Sequence, residues 1–264
     1  MKLDKLRSYQ EVVDRIKKAA TQSNECTLTP LGEIKSDNTS YPIYSLRLSS
    51  KHTSQARKRQ VSLSAGIHGD EPAGVEAVLT LLESPDLYEP FLHDIDFTIF
   101  PCINPFGYEH NTRTNHQGFD LNRKFDRKRP PKEVDLLRQV LEGKKVDLSM
   151  EFHEDVDTDG FYLYEVKKEG PYFGEAIIRK VERYCPINPR DEIEGLPSSG
   201  GIIRPPIDWI LKFRKKDWPQ AIYQIRNGAR HCITCETPIT LPLKGRARVH
   251  LIALDTALRH LIQT

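Results

Sequence analysis

The fold of this chain turns on residues 64–78, "SAGIHGDEPAGVEAV". An apolar run stops at a histidine, a glycine and two carboxylates, and a proline then opens a helical pattern. A strand that merely had to end needs none of these residues. Upstream, "QVSLSAGIH" (60–68) has the content of a strand. Downstream, "EPAGVEAVLTLLESP" repeats apolar residues at helical spacing, with Pro72 near the first turn, where a missing amide proton costs little. The stretch is a strand, a turn and a helix, the repeating unit of layered α/β folds.

The same grammar extends along the chain. "YPIYSLRLSS" (41–50) reads as a further strand, joined to 60–68 by the polar loop "KHTSQARKR". "DFTIFPCIN" (96–104) fits a buried strand, although Pro101 argues against a place inside a sheet. "VDLSMEFH" (146–153), "GFYLYEV" (160–166) and "HCITCE" (231–236) are further strands. "KEVDLLRQVLEG", "GEAIIRKVERYC" and "RARVHLIALDTALRHLIQ" are amphipathic helices, as is the opening "MKLDKLRSYQEVVDRIKKAA". Alternation of this kind predicts an α/β sheet with helices on both faces, and sites in such sheets form at the carboxyl ends of strands. His68, Asn104, His153 and Glu236 all fall at such ends.

Composition removes several function classes. With 39 basic and 37 acidic residues the net charge is +2, which gives no field for gripping nucleic acid or an anionic membrane. The basic clusters at 123–132 and 212–216 read as solvated surface. No apolar run approaches the ~18 residues of a membrane span, and the N-terminus lacks the apolar core of a secretory signal. Five cysteines, an odd number, argue against a secreted disulfide framework and point to a reducing cytoplasm. Cys232 and Cys235 lie within one strand and face opposite sides, so they read as core thiols rather than a redox pair. There is no repeat and no linker, so residues 1–264 are expected to form a single domain.

Catalytic zinc takes three protein ligands from histidine and carboxylate and leaves a position for water. His68 and Glu71 offer two such ligands from one turn, and His153 is the best third. Each of these residues alone also suits an ordinary turn or a hydrogen-bonded strand end. The long polar segment "NPFGYEHNTRTNHQGFDLNRKF" (104–125) carries Arg113, Asn122 and Arg123. Guanidinium groups hold carboxylates in a bidentate fork. Asp120 could accept the outer N–H of a ligand histidine, or simply cap a turn. Glu236, at the end of an apolar strand, should have its proton affinity raised by burial, and an acid before "TP" equally suits a turn or helix cap.

Taken in order, "HGDE", "NPFGYE…TRTNHQGFDLNRKF", "FHED" and "CETP" resemble the zinc metallocarboxypeptidase family in its short bacterial branch, from about residue 40 onward. That resemblance implies a mixed, mostly parallel eight-stranded sheet between helices and one Zn2+ per chain. It implies His68, Glu71 and His153 as zinc ligands, Arg113 as polariser of the scissile carbonyl, Asn122 and Arg123 as the clamp for the substrate's terminal carboxylate, and Glu236 as general base. The implied substrate is a peptide or peptide-like molecule with a free carboxylate. Relatives that cut the γ-glutamyl–diaminopimelate bond of cell-wall peptides, and N-acyl amino acid deacylases of the succinylglutamate desuccinylase and aspartoacylase type, are alternatives. The deacylases typically carry a β-rich domain beyond the catalytic glutamate, where only 28 residues follow here. A non-catalytic carboxylate-binding descendant would have lost a ligand or the base, and all are present.

Three positions depart from the family pattern. Tyr223 lies thirteen residues before Glu236, closer than the usual mobile tyrosine that closes over substrate, so that role is left unassigned. Arg204 either faces an acidic substrate or points to solvent. Glu154 stands where small residues are common, beside the subsite that precedes the scissile bond.

Overall fold

The computed structural model describes residues 6–36, 39–50, 57–213 and 216–264, except the side chains at 211–213. Part of the expected loop at 51–59, most of the basic cluster at 212–216 and the first five residues of the opening pattern lie outside the described residues.

The elements run α1 (Tyr9–Gln22), β1 (Cys26–Ser36), β2 (Thr39–Leu48), β3 (Arg59–Ala65), α2 (Pro72–Glu83), β4 (Ile95–Phe100), α3 (Pro105–His110), α4 (Lys132–Leu141), β5 (Leu148–Asp155) and β6 (Tyr162–Lys167). They continue as α5 (Gly174–Val181), β7 (Glu192–Ile193), β8 (Leu196–Ser199), β9 (Ile202–Ile203), α6 (Ile207–Phe213), α7 (Gln220–Arg226), β10 (His231–Pro238) and α8 (Leu243–Ile262). One sheet connects the strands in the order β1-β2-β4-β3-β5-β10-β6-β9-β8-β7.

This is the expected mixed α/β architecture, but with ten strands among the described residues rather than eight, and with antiparallel neighbours outnumbering parallel ones, so the sheet is not mostly parallel. Two of the ten, β7 and β9, are only two residues long. Parallel pairing is confined to the central β4-β3-β5-β10 group and to β6-β9, whereas the outer pairs are antiparallel. The reason lies in the connections. Long helical crossovers permit parallel neighbours, while short hairpins such as β1-β2 force antiparallel ones.

The central strands treat their two faces differently. Val61, Leu63, Met150, Phe152, Ile233 and Cys235 join the main core, which α1, α2, α5 and α8 cover. The opposite face of the same strands presents Ser62, Ser64, Ser149, Glu151, His153 and Glu236. Helices α4 and α7 pack over parts of that side through two smaller apolar clusters, one around Phe125 and Val134 and one around Ile222 and Cys232. Helix α7 is fixed to the polar face by Gln220 Nε2 donating to Ser64 Oγ (2.8 Å) and Gln224 Nε2 to Ser149 Oγ (2.6 Å). Cys232 and Cys235 therefore lie buried on opposite faces, as their spacing required.

The chain leaves β3 toward β4 on one side and returns to β5 on the other. That reversal opens a crevice at the carboxyl ends of β3 and β5, the usual ligand position in open α/β sheets.

Candidate metal centre and active-site cavity

At the end of β3 the chain makes its turn through Gly69. A Cβ there would lie 1.8 Å from the backbone carbon of Gly107, so only glycine lets the turn rest against α3. Asn104 holds α3 in place by capping it, its Oδ1 accepting from Gly107 N at 2.9 Å. Asn104 thus frames the loop bearing Arg113 and does not line the cavity.

Glu71 occupies the N-cap position of α2 but makes no capping bond with its side chain. Glu154 does that work instead, accepting from Ala73 N at 2.7 Å, and its other oxygen pairs with Arg246. Glu154 also lines the cavity, with its carboxylate held between the start of α2 and Arg246. Glu71 is left free to face the crevice. Its Oε1 lies 2.6 Å from His68 Nδ1, and its Oε2 lies 2.8 Å from His153 Nδ1.

One ligand atom from each of His68, Glu71 and His153 lies within 4.8 Å of the others, and all three residues are buried. Two imidazoles and one carboxylate form the donor set of zinc hydrolases. Asp120 Oδ1 lies 3.1 Å from His68 Nε2. It takes the outer N–H, which leaves Nδ1 with the lone pair a metal requires. The residues present fit a zinc ion.

Electrostatics agree with a cation site. Burial alone would disfavour a charge on His68, but Glu71 and Asp120 outweigh it and lift the imidazole to about 9. Glu71 is held well below the usual carboxylate range, the two histidines overcoming its burial. Arg113 reaches Glu71 Oε1 at 3.2 Å and Asp120 Oδ2 at 3.3 Å.

The seven residues given metal, catalytic or substrate roles by the family resemblance (His68, Glu71, Arg113, Asn122, Arg123, His153 and Glu236) line one cavity of about 180 Å³, whereas Asn104 and Asp120 stand outside its lining. Glu236 pairs in register with His153 on β5 and with Tyr162 on β6, so the three stand in one row across the sheet. Burial, then the nearby carboxylates of Glu71, Asp155 and Glu194, push the Glu236 carboxyl well above its usual range. Asn122 Oδ1 accepts from Gln220 N at 2.8 Å, which leaves the amide nitrogen as its donor group. Arg123 Nη1 donates to the Asn122 carbonyl at 2.9 Å.

Half of the chain matches a family model: residues 19–152 match that of zinc carboxypeptidases. The chain belongs to the zinc carboxypeptidase family. Zinc is the metal of that family, and the His68–Glu71–His153 cluster is where this zinc carboxypeptidase chain offers to hold it. The match ends at Phe152, so His153 and Glu236 enter on geometry alone.

Solved structures share the fold. A protein of Shewanella amazonensis SB2B assigned as a metallopeptidase is 22% identical with a TM-score of 0.75, over 96% of this chain and 92% of that one. Carboxypeptidase A of Helicoverpa armigera is 16% identical with a TM-score of 0.71, over 100% and 75%. A metallo-carboxypeptidase of Pseudomonas aeruginosa, in complex with (2-guanidinoethylmercapto)succinic acid, is 18% identical with a TM-score of 0.67, over 95% and 68%. No curated protein matches the chain.

Two further readings are settled by contacts. Tyr223 is buried against Phe125, with ring centroids 5.5 Å apart, and is no mobile cap. Arg204 is bonded to both Glu165 and Glu175 at the surface, half-buried and outside the cavity, so it points toward solvent rather than substrate. Sequence reasoning missed Glu151, Tyr162, Tyr164 and Glu194, which line the cavity. The alternation in "LSMEFH" was the available signal for Glu151, since a buried central strand rarely alternates without a purpose.

Proposed function

We propose that this protein is a zinc-dependent carboxypeptidase that removes the terminal residue of a peptide or peptide-like substrate bearing a free carboxylate. Residues 1–264 act in this reading as one catalytic domain, placed in the cytoplasm. Five buried free thiols suit that compartment, and among the described residues no helix is long and apolar enough to cross a membrane.

The observation that carries the reading is the row His153–Glu236 beside Glu71, in a cavity whose wall also holds Asn122 and Arg123. His68, Glu71 and His153 would hold the ion. Zinc, when bound, acts as a Lewis acid and lowers the pKa of a water in its open position to about 7. Glu236, whose raised proton affinity suits the task, takes a proton from the attacking water and returns it to the departing nitrogen. Arg113 stabilises the oxygen of the carbonyl under attack. Arg123 and the Asn122 amide fix the terminal carboxylate and so choose the last bond of the chain. The ligand of the Pseudomonas structure, a succinic acid derivative, likewise carries carboxylates.

The test is Glu236→Gln. The variant should keep one zinc per chain by elemental analysis and lose hydrolysis of peptides by at least about a hundred-fold. Retained hydrolysis would remove Glu236 as the base. Mass-spectrometric profiling of a mixed library of peptides and muropeptides would identify the residue released.

A further inference from the structure

We infer that Arg7 is a positioning residue for the metal centre. Its guanidinium ties the Gly69 carbonyl, between His68 and Glu71, to the start of the loop that carries Arg113. The inference rests on the zinc centre and not on the carboxypeptidase reading.

Arg7 stands just before α1, and its three partners are 62, 101 and 104 residues away. Its Nη1 donates to the Gly69 carbonyl at 3.2 Å and to the Tyr108 carbonyl at 3.1 Å. Its Nη2 donates to Asn111 Oδ1 at 2.6 Å, and the guanidinium carbon lies 5.4 Å from the centroid of the Tyr108 ring. One planar fork thus spans the metal-bearing turn, helix α3 and the left-handed residue that ends α3, two positions before Arg113. A lysine ammonium, a single point on a flexible stem, cannot hold that geometry.

The fork is itself held in place. The Leu6 and Arg7 amides donate to the Glu109 carbonyl at 2.8 and 3.2 Å. The Glu109 carboxylate accepts from Tyr9 N at 3.4 Å and from the Tyr41 hydroxyl at 2.8 Å, which joins the start of α1 to β2. Ser8 caps α1, its Oγ accepting from Glu11 N at 3.2 Å. The side chain therefore leaves a fixed backbone.

The turn needs such a tie. Its first part is fixed by Asn104 N donating to the Gly66 carbonyl at 2.8 Å. Further on, Arg7 supplies the donor for the Gly69 carbonyl. His68 and Glu71 flank that stretch of backbone, so a swing of it would turn both ligand side chains. Holding them in place beforehand lowers the ordering cost of binding an ion. Arg7 also precedes the span 19–152 that matches the family model, so the tie comes from outside that span.

The experiment measures zinc affinity of the full chain by competition against a chelator of known affinity, well below the unfolding temperature of each apo protein. Arg7→Ala should bind zinc about ten-fold more weakly than wild type, the low end for losing an outer partner of a metal site. Tyr9→Phe removes a different bond of the same segment, from the Tyr9 hydroxyl to the Pro42 carbonyl at 2.6 Å. It should bind zinc as wild type does. Unchanged or tighter zinc binding by Arg7→Ala would overturn the inference, whatever happens to its melting temperature. So would an equal loss in Tyr9→Phe, which would make the effect a general loosening of the segment. If Arg7→Ala does not fold, Arg7→Lys decides, because it keeps the charge and the stem but not the fork. Weaker zinc binding by that variant supports the tie, and wild-type affinity refutes it. No substrate enters the measurement, so failure of the carboxypeptidase reading leaves the result standing.

Discussion

Asp120 and His68 meet at 3.1 Å through Oδ1 and Nε2, on the side of the imidazole away from Glu71. One proton on Nε2 thereby decides which nitrogen is available to a metal. Removing the acceptor frees the ring to adopt the other tautomer or to rotate. Asp120→Ala should weaken zinc binding by roughly 10–100-fold, the usual effect of losing such a partner. Competition against a chelator of known affinity measures it, and unchanged affinity would show that Asp120 only shapes its loop.

Arg123 is assigned to the substrate's carboxylate, not to the reacting carbonyl. Arg123→Ala should therefore raise KM more than it lowers kcat. A charge-assisted hydrogen bond contributes about 1.5–3 kcal/mol, so kcat/KM should fall roughly 10–150-fold. Substrates with an amidated C-terminus should be poor for both proteins and should lose little more in the variant. A similar loss on amidated and free termini would contradict the assignment.

Glu165 gives a prediction for pH. Its side chain is fully buried, and it accepts from the Phe173 amide at 2.6 Å, from His231 Nε2 at 2.9 Å and from Arg204 Nη2 at 2.7 Å. Burial opposes its charge, but these donors together hold the carboxyl below its ordinary value. A depressed pKa in the folded state means stability present above the unfolded pKa, about 4.3, and lost as pH falls through the folded value. Glu165→Gln should cost about 3 kcal/mol at pH 7, and the gap to wild type should narrow below pH ~4. Urea unfolding at a series of pH values reads this, and a gap independent of pH would refute it.

Gly69 gives one for packing. An added methyl must displace the α3 backbone, because its nearest neighbour is the Gly107 carbon at 1.8 Å. Gly69→Ala should destabilise the fold by about 3 kcal/mol or more and reduce zinc occupancy, since His68 and Glu71 flank the same turn. Thermal unfolding with and without zinc is the measurement. A variant as stable as wild type would mean that the turn and α3 can separate freely.

Sequence alone was enough for much of this. The strand–turn–helix at 64–78 has to end where it does, because Pro72 can start a helix but cannot extend a strand, so "HGDE" is fixed at a strand's carboxyl end. Period-two and helical patterns are local properties, and β2 through β6, β10 and the long helices follow from them. The segment at 104–125 reads as a loop because a six-residue helix such as α3 has too few turns to print a pattern.

Other features could arise only from the assembled chain. Strand β1 alternates weakly in burial because it lies at the sheet's edge, so its pattern was faint. Whether Arg204 served substrate depended on Glu165 and Glu175, 39 and 29 residues away. The convergence of Nδ1 atoms on Glu71 depends on residues 82 positions apart meeting through the order of the sheet. Sequence fixes which side chains share a face of a strand. Which strand lies beside it, and hence which side chains meet across the sheet, is set by tertiary packing.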